Sequence, residues 1–224
     1  MSFIRTLASR QFTFMFARTT TQKFMKKLLI ALALFAFAPV LPAQESASAD
    51  RESLVQYLEK TRKELLVATK GLSEQQWNFK PATNRWSVAE IVEHIAAAED
   101  MIFETVRDKV MATPAISPSA DFKADDEFIL KNVPDRTSKF PAPEPLIPSK
   151  RFGSSQDSLK HFEASRAKTL SFAKETKGLR EHAMDSPLGK KFDAHQWLLF
   201  LGAHSERHTK QLNEVKADPG FPKN

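Results

Sequence analysis

Two histidines near the C-terminus, His204 and His208, lie four residues apart. They belong to a predicted helical stripe whose members recur at steps of three and four, the spacing of a face that packs against a hydrophobic core. The stripe consists of Trp197, Leu201, His204, His208, Gln211 and Val215. An unpartnered polar group in a core costs on the order of a few kcal/mol. Because residues i and i+4 hold their Cβ atoms about 5–6 Å apart, one metal ion could satisfy both rings.

A third histidine, His94, can reach the same level of the molecule. It lies on another predicted helix, which begins at a capping box formed by Ser87 and Glu90. If this second helix runs antiparallel to the helix of His204 and His208, the level of His94 differs from the midpoint of the other two histidines by about three residues, or about 5 Å of helical rise. The spacing therefore predicts that the three rings meet at one point.

Three neutral imidazoles without a fourth protein ligand are typical of a catalytic metal site, which keeps one coordination position open. The chain has no cysteine, so disulfides and thiolate ligands are excluded. We therefore expect one divalent metal ion, with zinc or nickel favoured and iron or manganese also able to bind imidazole. The alternative is a site without metal, in which the histidines bond to one another or to buried water. No residue is identified as a general base.

The other histidines and the tryptophans have structural interpretations. His161, His182 and His195 are expected on the third helix, in a loop and in the first turn of the fourth helix. Trp86 and Trp197 are expected to act as hydrophobic staples at helix starts rather than as substrate platforms.

Charged residues near these motifs also have ordinary interpretations. Glu90 is expected to serve as a capping residue, and Lys190, Lys191 and Arg207 are expected to be solvated. Arg207 is in addition a candidate for contact with an anion at the mouth of a pocket.

The first 43 residues have the pattern of an export segment. After Met25, the basic residues Lys26 and Lys27 precede an apolar run over 28–38 and a small residue, Ala43, which is the order of a secretory signal peptide. We expect residues 1–24 to be an upstream extension and the mature protein to begin near Gln44 outside the cytoplasm, periplasmic or secreted. A mitochondrial presequence is the alternative, because residues 1–24 contain arginines and no acid.

The net charge of +6 belongs to this segment. It contains no acidic residue, and its basic residues are Arg5, Arg10, Arg18, Lys23, Lys26 and Lys27. The remaining chain is close to neutral, so the charge does not indicate binding to nucleic acid.

Four segments have the periodicity of long helices. The first is expected to begin with Asp50 as its N-cap and to stop at Gly71, the third to begin near Ser155, and the fourth at a box of Asp193 and Gln196. No segment alternates as a half-buried strand does. The prediction is an all-α, four-helix bundle formed by one domain, residues 44–224.

The connector over 112–154 is long and rich in proline. It can run back along a second helix about 37 Å long, which would make the second and third helices parallel and the bundle up-down-down-up. A short helix from Asp125 to Lys131 is expected within this crossover, and the Pro-rich part should be extended.

Two stretches of the chain resemble a known family. They are GLSEQQWNFKPATNRWSVAEIVEHI and SPLGKKFDAHQWLLFLGAHSERHTKQL. They are similar to the DinB-like (DinB/YfiT) superfamily, in which a Trp-Ser-x-x-Glu helix start leads to a histidine and a later His-x-x-x-His has Arg before its last histidine and Gln three residues after it. The matching positions are Trp86, Ser87, Glu90, His94, His204, Arg207, His208 and Gln211.

The resemblance covers residues 50–216 apart from the crossover. It implies an up-down-down-up bundle and a divalent metal on the three histidines with open coordination positions. Some members of the superfamily are metal-dependent thiol transferases or isomerases that use low-molecular-weight thiols, so the resemblance implies these activities as candidates.

Two classes of function follow. One is an exported metal-dependent transferase or hydrolase that acts on a small molecule; the other is a non-catalytic stress-response protein that binds metal or a ligand. Export argues against an intracellular thiol and favours hydrolysis or the non-catalytic class. We expect no nucleic-acid partner and no membrane span after cleavage, with a homodimer left open.

Overall fold

The computed structural model describes residues 42–119 and 121–223. The predicted upstream extension and signal peptide lie almost wholly outside these residues and stay predictions. Residues Ala47–Asn224 form one compact unit. Among the described residues, no helix combines the length and the apolar character needed to cross a membrane.

Helices make up most of the described chain. In chain order they are α1 (Pro42–Thr69), α2 (Glu74–Asn78), α3 (Val88–Glu104) continued by a π-helix (Thr105–Val110), α4 (Phe122–Asn132), a 3-10 turn (Glu144–Leu146), α5 (Ser155–Glu175) and α6 (Ala194–Lys216). The four long helices α1, α3, α5 and α6 form the bundle, so the predicted fold class is confirmed. The short helix expected within the crossover is α4.

A small antiparallel hairpin departs from the all-helical prediction. Strand β1 (Ala183–Asp185) pairs with β2 (Lys191–Asp193), and Met184 lies opposite Phe192. The expectation that no strand occurs is wrong here, because strands of three residues are too short to show an alternating pattern. Gly189, at a φ of 72°, supplies the left-handed conformation in the connecting turn.

The predicted helix starts of α3 and α6 are confirmed. The Ser87 hydroxyl accepts from the Glu90 N–H while the Glu90 carboxylate accepts from the Ser87 N–H, and Asp193 and Gln196 repeat the arrangement. These boxes fix where each histidine-bearing helix begins.

The predicted start of α1 is wrong. The helix begins at Pro42, so Asp50 lies inside it and is not its N-cap. The Asp50 carboxylate instead accepts from the Arg180 guanidinium at 2.8 and 2.9 Å.

A buried arginine connects all four long helices. Arg166 of α5 is fully buried, and its guanidinium donates to both carboxylate oxygens of Glu99 on α3, at 2.7 and 2.8 Å. It also donates to the Leu58 carbonyl and Thr61 hydroxyl of α1, each at 2.8 Å, and to the Ser205 hydroxyl of α6 at 2.9 Å. The charge is therefore paired, and every N–H donor of the guanidinium has an acceptor, as burial requires.

Contacts along the helices show their relative directions. Glu99 and Phe103 of α3 meet Arg166 and Phe172 of α5, so residue numbers rise together and the two helices are parallel. Helices α1 and α6 also run parallel, since Asp50 contacts His195 and Lys60 contacts Glu206. Both directions agree with an up-down-down-up bundle, and the arrangement as a whole stays a prediction.

Candidate metal centre

The structure brings the three predicted histidines together. Ring centroids of His94 and His204 lie 5.1 Å apart, and His208 lies 4.4 Å from each of the other two. One ring nitrogen from each histidine lies within 4.8 Å of the others. His94 is contributed by α3, one turn past its capping box, and the other two by consecutive turns of α6.

Hydrogen bonds fix the tautomer of His94. Its Nδ1 lies 2.9 Å from the Leu146 carbonyl oxygen, which can only accept. Nδ1 therefore carries the hydrogen, and in the neutral ring the lone pair is on Nε2.

The tautomer of His208 is fixed in the same way. Its Nδ1 lies 2.8 Å from the side-chain oxygen of Gln211, which also accepts a bond from Arg136 Nη1 at 3.3 Å. The arginine donor orients the amide so that its oxygen faces His208, and Nε2 of His208 is again left with a lone pair.

The two Nε2 atoms of His94 and His208 face each other at 3.2 Å. With both lone pairs directed at this gap, the contact is not a hydrogen bond and is repulsive unless a cation lies between them. Two ligand nitrogens about 2.1 Å from a tetrahedral ion are about 3.4 Å apart, close to the observed separation. The donor set thus fits a metal ion better than it fits histidines that bond only to one another.

The electrostatic environment keeps the rings neutral. Burial lowers the pKa of His94, and burial together with the charge of its histidine neighbours lowers the pKa of His204. Burial, reinforced by His94, lowers the pKa of His208 to about 3. Neutral imidazoles are the form that binds metal ions, so no deprotonation step opposes binding near neutral pH.

The crossover supplies the carbonyl that holds His94. Glu93, the residue before it, is buried and accepts from the backbone N–H groups of Ser149, Lys150 and Arg151 at 2.8 to 3.0 Å. Although burial alone would raise the pKa of the Glu93 carboxyl, these donors hold it below its usual value. The anchored loop keeps the Leu146 carbonyl against the ring of His94.

Arg207 does not have its predicted position. It is buried rather than solvated, and it donates to the backbone carbonyls of Val133, Asp135 and Ser138. Its guanidinium binds the crossover to α6 and is not directed at an anion. A loop backbone offers acceptors that no residue pattern reveals, so the sequence could not show this role.

The tryptophans are found near their expected places. Trp197 packs edge-on against Phe192 with centroids 6.3 Å apart, as a staple should. Trp86 is half-buried, and its ring lies 4.9 Å from that of His94, so it also packs against the centre.

The remaining predicted residues do not belong to the histidine group. His161 contacts the Asp100 carboxylate at 2.6 Å, and His182 donates to the Thr113 carbonyl at 2.7 Å. Glu90 is the capping residue that was predicted, and it also pairs with Lys80 at 2.7 Å. Lys190, which is exposed, contacts Asp125 at 2.7 Å.

A second cluster joins His195 to acidic residues. A ring nitrogen of His195 and carboxylate oxygens of Asp50 and Asp126 lie within 4.8 Å of one another. Arg180 already occupies this cluster, with bonds of 2.6 to 2.9 Å to both carboxylates and a further bond of 3.1 Å to Asp193. The guanidinium provides the positive charge that a metal would otherwise supply, so we assign the cluster a structural role. Burial also lowers the pKa of His195 to about 4, so that it is neutral there.

The chain is similar to proteins that are already known. The family model of the DinB superfamily matches residues 57–212. The protein YuaE of Bacillus subtilis (strain 168) is 29% identical over 152 residues, which cover 66% of this chain and 87% of YuaE. The solved structure of YfiT from Bacillus subtilis, described as a probable metal-dependent hydrolase with an unusual four-helix bundle topology, has a TM-score of 0.48 and 15% identity. That match covers 77% of this chain and 89% of YfiT.

Proposed function

The chain belongs to the DinB superfamily, and we propose that it is a metal-dependent hydrolase of a small molecule, with one divalent ion bound by His94, His204 and His208. The observation that carries the proposal is the pair of Nε2 lone pairs, from His94 and His208, that face each other at 3.2 Å. A divalent cation is the species that such a pair of neutral nitrogens would hold in place.

The composition of the centre supports catalysis rather than a closed structural site. Within the described chain, the ligand group that contains these histidines has three members and no carboxylate. A tetrahedral ion would thus keep one position for water or substrate. An ion held there would lower the pKa of a bound water towards neutrality and would polarise a substrate carbonyl or phosphoryl group.

The residues around the histidines would orient the ligand rings and shield the centre from solvent. Leu146 and Gln211 hold two rings with their Nε2 atoms turned inward, which pre-organises the ligands. The ring of Trp86 lies 4.9 Å from that of His94 and would shield this side of the centre from water. Zinc and nickel are the proposed metals, and iron or manganese would also accept three imidazoles.

An activity screen tests the proposal. Untagged protein loaded with Zn²⁺ or Ni²⁺ is expected to hydrolyse at least one class among chromogenic esters, amides and phosphate monoesters. The rate should fall to background with a chelator and return when metal is restored, because the ion would activate the attacking water. His208→Ala should be inactive, whereas His161→Ala, a matched change of a histidine outside the centre, should retain the activity.

Two outcomes would contradict the proposed hydrolase activity. One is hydrolysis that neither the chelator nor His208→Ala reduces. The other is stoichiometric metal binding without turnover of any class, which would favour a non-catalytic metal-binding protein.

We further propose that the domain acts outside the cytoplasm. The support is the order of basic residues, apolar run and small residue over 25–43.

A further inference from the structure

Arg136, in the crossover, contacts two residues of α6 with its guanidinium. Nε and Nη2 each lie 2.9 Å from one carboxylate oxygen of Glu214, and Nη1 lies 3.3 Å from the side-chain oxygen of Gln211. The bidentate ion pair fixes the plane of the guanidinium. Hydrogen bonds from Arg136 also lower the pKa of Glu214, which keeps that carboxylate charged.

This ion pair determines which way the Gln211 amide faces. Turned by 180°, the amide would place its NH₂ group against Arg136, donor against donor. In the observed orientation the oxygen accepts from both Arg136 and His208 Nδ1. The hydrogen of His208 is therefore held on Nδ1 by a contact that begins in the crossover.

We infer that Arg136 is a positioning residue of the histidine centre: it orients Gln211 and thereby keeps the Nε2 lone pair of His208 available for the metal. The inference rests on the proposed function. It makes the crossover a support for two of the three ligands, since Leu146 holds His94 and Arg136 holds His208 through Gln211.

The direction in which metal affinity changes when Arg136 is removed distinguishes a positioning role from a purely electrostatic one. Arg136 is positively charged and is separated from His208 by the single amide of Gln211. If charge were its only influence, removing it would reduce repulsion and tighten the binding of a divalent cation. If Arg136 positions His208, removing it should weaken binding.

The first test compares zinc affinities. Arg136→Met, which keeps a long apolar side chain without donors, is expected to raise the Kd for Zn²⁺ about 10-fold, the usual size of an outer-shell effect. The Kd is measured by competition with a chromophoric chelator. Arg85→Met is the matched control: Arg85 Nη2 lies 3.7 Å from the same Glu214 carboxylate, and the change removes the same charge. The control should leave the Kd unchanged or slightly lower it.

A double-mutant cycle tests the route through Gln211. In a Gln211→Met background, Arg136→Met should cause no further loss of zinc affinity, because the amide that it orients is gone. Additive losses would overturn the inference.

The tautomer of His208 provides a readout that needs no metal. In ¹⁵N NMR spectra of the metal-free protein, His208 should be protonated at Nδ1 in the wild type and should become a mixture of tautomers in Arg136→Met. A wild type that binds no zinc at the histidines refutes the proposed function, and the NMR result then still decides the role of Arg136. An unchanged tautomer, or a Kd that is unchanged or lower in Arg136→Met, overturns the inference.

Discussion

His204→Ala is expected to reduce the metal content of the purified protein from about one ion per chain to almost none, while the bundle stays folded. His204 lies beside both other histidines, with ring centroids 4.4 and 5.1 Å away, so its loss leaves two ligands. The core is formed instead by apolar stripes and by the buried Arg166, whose hydrogen bonds go to Glu99, Leu58, Thr61 and Ser205. Metal analysis and a thermal melt of the same sample measure both quantities.

His161→Ala is the matched control for this change, since it removes a histidine from α5 and should leave the metal content intact. The metal would be shown to stabilise the fold if His204→Ala is unfolded. The same would follow if both His204→Ala and the chelated wild type melt many degrees below the metal-loaded wild type. That result would contradict a purely functional role.

Glu99→Leu is expected to lower the free energy of unfolding by about 3–5 kcal/mol. The change leaves the Arg166 guanidinium fully buried without its counter-charge, although its bonds to α1 and α6 remain. Urea unfolding followed by circular dichroism gives the difference. The double variant Glu99→Leu/Arg166→Met should recover most of the loss, because it replaces the buried ion pair with apolar side chains.

An exposed ion pair provides the comparison. Asp108→Asn breaks the contact with Arg107 at the surface and should leave the stability almost unchanged. A small effect of Glu99→Leu, similar to that of Asp108→Asn, would contradict the central role of Arg166 in the bundle.

The sequence predicts the histidine centre because its signals are local and periodic. His204 and His208 are one helical turn apart, and the capping boxes at Ser87 and Asp193 set the helix starts from which the register with His94 follows. These features depend on neighbouring residues alone, so they are visible without a structure.

The contacts by which the crossover supports the centre could not be predicted from the sequence. The Leu146 carbonyl is a backbone atom with no signature in the sequence, and Arg136 lies in an aperiodic crossover 75 residues from its partner Gln211. Arg207 was misplaced for the same reason, because its acceptors are loop carbonyls.

Arg166 did have a signal. It lies four residues after Phe162 and seven before Ala173, on the stripe of α5 that is buried in the bundle. A charge on an apolar stripe predicts a buried partner, and Glu99 follows the apolar run of α3. Asp50 shows the opposite case: it has the chemistry of an N-cap, but its partner Arg180 is 130 residues away in the chain.

X-ray absorption spectroscopy of the untagged, zinc-loaded protein tests whether the three histidines bind a metal ion. We expect about one zinc ion per chain with three imidazole nitrogens at about 2.0–2.2 Å and one further light ligand from solvent. The imidazole signal should be lost in the His94→Ala/His204→Ala/His208→Ala variant. Zinc that is bound equally well by that triple variant, or a wild type that retains no zinc, would contradict this expectation.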